Sequence, residues 1–269
     1  MPCTQARSVP RETAEVVRRL SDLFAEAARS CTDEHQLRAL LGDAALELGF
    51  HHFALIDHVS LTAQCEGLIR IDNYPQGWTH ELVSRGFVSD DPVHLASRRA
   101  NTGFGWCELG DLILLDGRHR AILERSRYHG LGGGFTIPAN VPGEPAASCS
   151  FAVRVGHEVP AARLRCAETI GAHALRAARR LRSLPPPPPR PRLRRREIEC
   201  LRLVARGKTD WEIARILDLS VETVRQYVKR ARAAYDVGSR TQLAVHGLRD
   251  AWIGCEEAIP PNGGMGKRR

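Results

Sequence analysis

Tyr74, Trp78 and Leu82 are spaced four apart, Asp91 follows Trp78 by thirteen residues, and Trp106 comes fifteen after that. Aromatic rings beside a single carboxylate, with the small-residue strand face of Ser148, Ser150 and Ala152, can wall a mostly apolar pocket that has a few polar anchors. Each residue also has a plainer use. Asp91 stands before Pro92 as a natural helix N-cap, the tryptophans can be core, and Ser150 can bond to its neighbour. Hydrolytic chemistry lacks its usual parts: the chain has no G-x-S-x-G nucleophile turn and no H-E-x-x-H. His51, His52 and His58 are close in sequence, but the first two point to opposite sides of a strand. A ligand-holding pocket is favoured over a hydrolytic enzyme.

A second set of chemically capable residues lies near the C-terminus. Val221, Val224, Val228, Ala231 and Tyr235 recur at helical spacing and form one apolar stripe. Off that stripe lie Glu222, Thr223, Arg225, Gln226, Lys229 and Arg232. Arg and Lys can reach guanine edges in a major groove, and Gln can pair with adenine. The expected DNA contacts are Thr223, Arg225, Gln226, Lys229 and Arg232.

The elements that must position this face are short and well punctuated. A helix through Glu197, Ile198, Leu201, Val204 and Ala205 stops at Gly207, a residue suited to a left-handed cap. The next opens at Thr209, with Glu212 placed for a capping box, and presents Ile213, Ile216 and Leu217 inward. After a tight turn, Ser220 caps the third helix. Two helices joined so closely make a helix-turn-helix. Arg192 to Asp250 holds 14 Lys and Arg against 8 Asp and Glu, which suits a polyanion.

The pocket residues belong to a longer, mixed region. Val16, Val17, Leu20, Leu23, Phe24 and Ala27 line a first amphipathic helix. Leu37, Leu40, Leu41, Ala44 and Leu48 line a second, after Thr32-Asp33. The period then shortens over His52 to Asp57 and Leu68 to Asp72, as in strands. Helices start at Pro75, at Asp91-Pro92 and over Arg118 to Tyr128. Gly130 to Gly134 lead into Phe135-Thr136-Ile137, Val141 to Pro145 turn, and Ser148 to Val155 alternate as a strand. A last helix over Ala161 to Leu181 carries the small-residue stripe Ala167, Gly171, Ala174 and Ala178, for packing or for self-association. This order predicts an α/β domain, an α-β-α sandwich with a mainly antiparallel sheet, over 1–182. A proline-rich spacer follows over 183–191, then an all-α helix-turn-helix domain over 192–253 and a structureless tail over 254–269.

Bulk properties agree. The 269 residues suffice for two domains, and a net charge of +8 suits a polyanionic partner. Eight scattered cysteines without a C-x-x-C pair speak against structural zinc and for reduced, mostly buried thiols. Without a leader peptide or a membrane-spanning run, the chain is expected to be soluble and cytoplasmic.

Together these residues resemble the LuxR-type quorum-sensing transcription factors, which bind acyl-homoserine lactones. The resemblance spans nearly the whole chain. It rests on Asn73-Tyr74-Pro75 with Trp78, Asp91-Pro92, Trp106 and Gly134-Phe135-Thr136-Ile137-Pro138. In the second region it rests on Arg196-Glu197, Leu201, Gly207, Trp211-Glu212-Ile213-Ala214 and Thr223-Val224. It implies that Trp78 donates to a lactone carbonyl, that Asp91 accepts the ligand amide N–H, and that Tyr74 and Ser150 serve the amide carbonyl. It also implies that Trp106 walls the lactone end. Leu82 stands where the family usually has Tyr, beside the acyl chain, and Arg194 replaces a common Thr. The expected protein is a homodimer on a pseudo-palindromic promoter, with no metal, no catalytic residue and no cofactor beyond its effector. An orphan regulator answering a non-lactone molecule, or none, is the alternative.

Overall fold

The computed structural model describes residues 11–58, 69–141, 144–182 and 189–259, and side chains from residue 19 onward. The expectations for Val16, Val17, Leu68, the middle of the turn at 142–143, the prolines at 185–188 and the tail after 259 lie outside the described residues. The chain divides into two compact units, Met1–Pro185 and Pro186–Arg269.

The first unit is built on an antiparallel five-stranded sheet. Its strands are β1 (His52–Asp57), β2 (Arg70–Asp72), β3 (Phe104–Gly105), β4 (Leu131–Ala139) and β5 (Ala147–Arg154), in the order β2-β1-β5-β4-β3. Strand alternation gives the sheet two different faces. Phe53, Leu55, Phe135, Ile137, Cys149, Phe151 and Val153 point into the main core. There they meet α1 (Arg11–Ser30), α2 (Glu34–Glu47) and α7 (Leu164–Leu181). Ala54, Ser148, Ser150 and Ala152 take the opposite face. That face is covered by α3 (Gln76–Ser84), α4 (Pro92–Ser97) and α6 (Gly117–Tyr128).

The small-residue stripe of α7 packs on its own sheet: Ala167, Gly171, Ala174 and Ala178 are all buried, and a Cβ on Gly171 would fall 2.9 Å from Ile137. Packing, not self-association, accounts for it. Between α4 and α6 the chain forms β3, a 3₁₀ turn over Trp106–Glu108 and the short α5 (Leu109–Leu112). These elements are too brief to show a period.

The second unit holds α8 (Arg195–Ala205), α9 (Asp210–Leu217), α10 (Val221–Ala234), α11 (Arg240–Arg249) and α12 (Cys255–Ala258). Gly207 takes φ +75°, and the Lys208 N–H reaches the Leu203 carbonyl at 3.0 Å to close α8. Thr209 and Glu212 form the capping box of α9, and Ser220 accepts the Thr223 N–H at 3.0 Å to start α10. Leu201, Ile213, Val224, Val228, Ala231 and Leu243 fill the core.

Three expectations need correction. Ile216 is 54 % exposed, because a two-turn helix between two neighbours buries Ile213 and Ala214 instead. Helix α11 was not foreseen, although Ser239 and Gln242 form a capping box in plain sight. Helix α12 occupies part of the stretch expected to lack structure. As expected, most of the described cysteines are buried: Cys31, Cys149, Cys166 and Cys200 are, while Cys107 and Cys255 are exposed. No described helix is long and apolar enough to cross a membrane.

Candidate functional site

The second sheet face and helices α3, α4 and α6 line a partly open cavity. Five of the six expected ligand residues line it: Tyr74, Trp78, Asp91, Trp106 and Ser150. They arrive from separate places in the chain. Tyr74 precedes α3, Trp78 sits in its first turn, Asp91 caps α4, Trp106 follows β3 and Ser150 lies on β5. Only the tertiary fold makes them neighbours.

Leu82 does not join them. It is buried at 8 % exposure in a cluster with Trp78, Ile122, Leu131 and Ala152, and it is not part of the cavity wall. The four-residue spacing did place Leu82 near Trp78. One further helical turn, however, carried it behind the wall.

Hydrogen bonds hold the polar side of the cavity. The Trp106 indole N–H donates to Thr136 Oγ1 at 2.9 Å, and that oxygen lies 2.9 Å from Ser150 Oγ. The register pairs Thr136 with Ser150 and Ser150 with Ala54. Gly134 makes room for this, since a Cβ there would stand 2.6 Å from the Trp106 ring. Burial, then the nearby Asp91 carboxylate, pushes the Tyr74 phenol well above its ordinary value, while a hydrogen bond with Ser150 opposes that shift. Tyr74 therefore remains a phenol, able to donate. Asp91 Oδ1 accepts the Val93 N–H at 2.8 Å. A carboxylate has further lone pairs, so capping does not exhaust it.

A clamp fixes the helices that carry the wall. Glu81 on α3 receives Arg125 Nε at 2.8 Å and Nη2 at 2.7 Å, and lies 2.7 Å from His129 Nε2. Arg85 adds a contact at 3.1 Å. The hydrogen bonds from Arg125 and His129 lower the Glu81 carboxyl to about 2. Thr136, Ser126 and His94 also serve the site or line it and were not singled out from sequence. Ser148, expected on the Ser150 strand face, lines the cavity with it.

On α10, Arg225, Gln226 and Lys229 are exposed, and Arg225 and Gln226 rest against Glu222 at 3.5 and 3.1 Å. Thr223 is half-buried, its Oγ1 2.7 Å from Ser220 Oγ. Arg232 differs: it is half-buried and donates to the Gly238 carbonyl near the end of α10. Arg230, one turn beyond Gln226, is exposed.

Residues 33–181 match the family described as autoinducer binding domain, and residues 191–246 match that of bacterial regulatory proteins, luxR family. The chain is similar to y4qH of Sinorhizobium fredii, described as an HTH-type transcriptional regulator. The two are 29 % identical over 196 residues, which cover 71 % of this chain and 59 % of that protein. It is 27 % identical over 238 residues to the transcriptional activator protein TraR of Rhizobium radiobacter, covering 86 % of this chain and 96 % of TraR. Among solved structures, SdiA of Escherichia coli shares the fold at a TM-score of 0.54 and 22 % identity, covering 90 % of this chain and 99 % of SdiA. These domains are those of transcriptional regulators, not enzymes. The chain belongs to the LuxR family of quorum-sensing transcriptional regulators, with an autoinducer-binding domain followed by a DNA-binding helix-turn-helix.

Proposed function

We propose that the autoinducer is an N-acyl-homoserine lactone, enclosed in the cavity of the first unit. The observation that carries this reading is the convergence of Tyr74, Trp78, Asp91, Trp106 and Ser150 on one cavity. Their hydrogen-bonding characters match such a molecule. An indole N–H suits a lactone carbonyl, a carboxylate suits an amide N–H, and a phenol beside a serine hydroxyl suits an amide carbonyl. The charge of Asp91 strengthens its bond in a dry site. Trp106, held by Thr136, would close the ring end.

The regulator would act in the cytoplasm as a homodimer. One helix-turn-helix reads one half-site, and a symmetric pair reads a pseudo-palindrome with half-sites ~34–36 Å apart. With the α7 stripe buried, the dimer would use other surface. Effector burial would stabilise the folded, DNA-competent state by mass action.

The test is mass spectrometry of organic extracts from the protein produced with a panel of lactones. One lactone retained in near-equal amount with the chain is expected. Empty extracts across the panel would instead favour an orphan regulator on the same scaffold.

A further inference from the structure

The cavity wall carries a second polar patch beyond Ser150. Ser148 lies two residues away on the same face of β5, roughly 7 Å along the strand, and is 2 % exposed. Its Oγ is 2.8 Å from Nε2 of the buried His58. His58 stacks on His94 with ring centroids 4.3 Å apart, and its Nδ1 is 3.2 Å from Ser97 Oγ. His94 and Ser148 both line the cavity.

One neutral tautomer of His58 makes all of these bonds at once. Ser97 gives its single proton to the His94 carbonyl at 3.1 Å, so toward His58 it can only accept. His58 Nδ1 therefore bears the hydrogen. Burial, followed by the charges of His94 and Arg98, holds His58 well below its ordinary value, so the ring is neutral. Its Nε2 is a lone pair, and the Ser148 hydroxyl donates to it. Toward the cavity Ser148 then offers lone pairs only. Ser126 is in the same condition, because its hydroxyl donates to the Leu123 carbonyl at 2.8 Å.

We propose that the effector carries a hydroxyl several bonds into its acyl group, and that this hydroxyl donates to Ser148. The inference rests on the lactone reading above. A keto oxygen there would set lone pairs against lone pairs, and a plain alkyl chain would leave Ser148 Oγ facing carbon.

The test uses the full chain and matched lactones in two series. In one, 6-hydroxyhexanoyl-homoserine lactone is compared with its heptanoyl and 6-methoxyhexanoyl counterparts. In the other, a 3-(4-hydroxyphenyl)propanoyl lactone is compared with the phenyl and methoxyphenyl forms. The hydroxyl member of one series should bind about tenfold tighter than both partners, and that series tells an aliphatic from a phenolic hydroxyl. Ser148→Ala should erase the preference, bringing the hydroxyl member of that series to within about twofold of its unsubstituted partner in the same variant. If that variant fails to fold, the wild-type ranking decides alone. Lactone binding without a hydroxyl preference in either series, or a preference that survives Ser148→Ala, would overturn the inference and leave the lactone reading standing. Failure of every lactone to bind would remove both.

Discussion

Asp91 Oδ1 accepts the Val93 backbone N–H at 2.8 Å while the same side chain forms part of the cavity wall. Capping and ligand contact are therefore compatible uses of one carboxylate, and substitution can separate them. Asn caps about as well as Asp but lacks the charge. Asp91→Asn should melt within a few degrees of wild type and need about tenfold more lactone for half-maximal response. Asp91→Ala should lose the cap as well, about 0.5–2 kcal/mol, and nearly all response. Thermal unfolding and dose–response curves check both. An unchanged dose–response in Asp91→Asn would return the residue to capping alone.

Leu82 should behave as core. It sits at 8 % exposure among Trp78, Ile122 and Leu131, so Leu82→Ala should cost about 2–5 kcal/mol. Leu82→Tyr has to fit a larger ring into a packed cluster, at about 1–3 kcal/mol. Denaturant unfolding of both variants measures this. A Leu82→Tyr protein of wild-type stability with a changed acyl ranking would put the position back beside the acyl chain.

The contrast between Asp91 and Leu82 shows how far the sequence could be read. Periodicity and caps located the long elements: α2, α6, the β5 alternation, and the α9–α10 turn all stand where composition places them. The two sheet faces were legible from Ser148, Ser150 and Ala152 against Cys149, Phe151 and Val153. What escaped was local or relational. β3 and the Trp106 turn are too short to carry a period. Leu82 and Ile216 sit at apolar helical positions, yet which side of the wall or core they face depends on neighbours far along the chain. The Thr136–Ser150 pair depends on strand register, and the bond of Arg232 goes to a backbone carbonyl, which has no sequence identity.

Glu81 gives a pH prediction. Its carboxyl is lowered from 4.5 to about 2 by Arg125 and His129. A depressed acid contributes stability that is complete above its unfolded value and lost as pH falls through the folded one. That contribution should therefore fade between about pH 4.5 and 2. Glu81→Gln should flatten this part of the stability profile and weaken effector binding, because α3 and α6 lose their clamp. Melting temperatures across that range provide the check; parallel profiles for the two proteins would count against the clamp.

On DNA, Arg225→Ala and Lys229→Ala should each cost about 1–3 kcal/mol on the specific site and relax preference locally. Arg232→Ala should act otherwise, lowering stability through the end of α10 with the base preference intact. Binding to specific and random duplexes at several salt concentrations distinguishes these. Equal losses on both duplexes for Arg225→Ala would contradict base reading.

The central claim is that the cavity recognises the closed lactone through Trp78, Asp91 and their neighbours. Calorimetric titration of the purified chain with the lactone retained in extraction, and with its ring-opened acid, addresses it directly. The intact lactone should bind with one site per chain, and the ring-opened acid at least about a hundredfold more weakly, since it sets an added carboxylate near Asp91. Trp78→Phe, which keeps the ring but loses the indole N–H, should narrow that gap. Equal affinity for the closed and opened forms, unaltered by Trp78→Phe, would contradict the account.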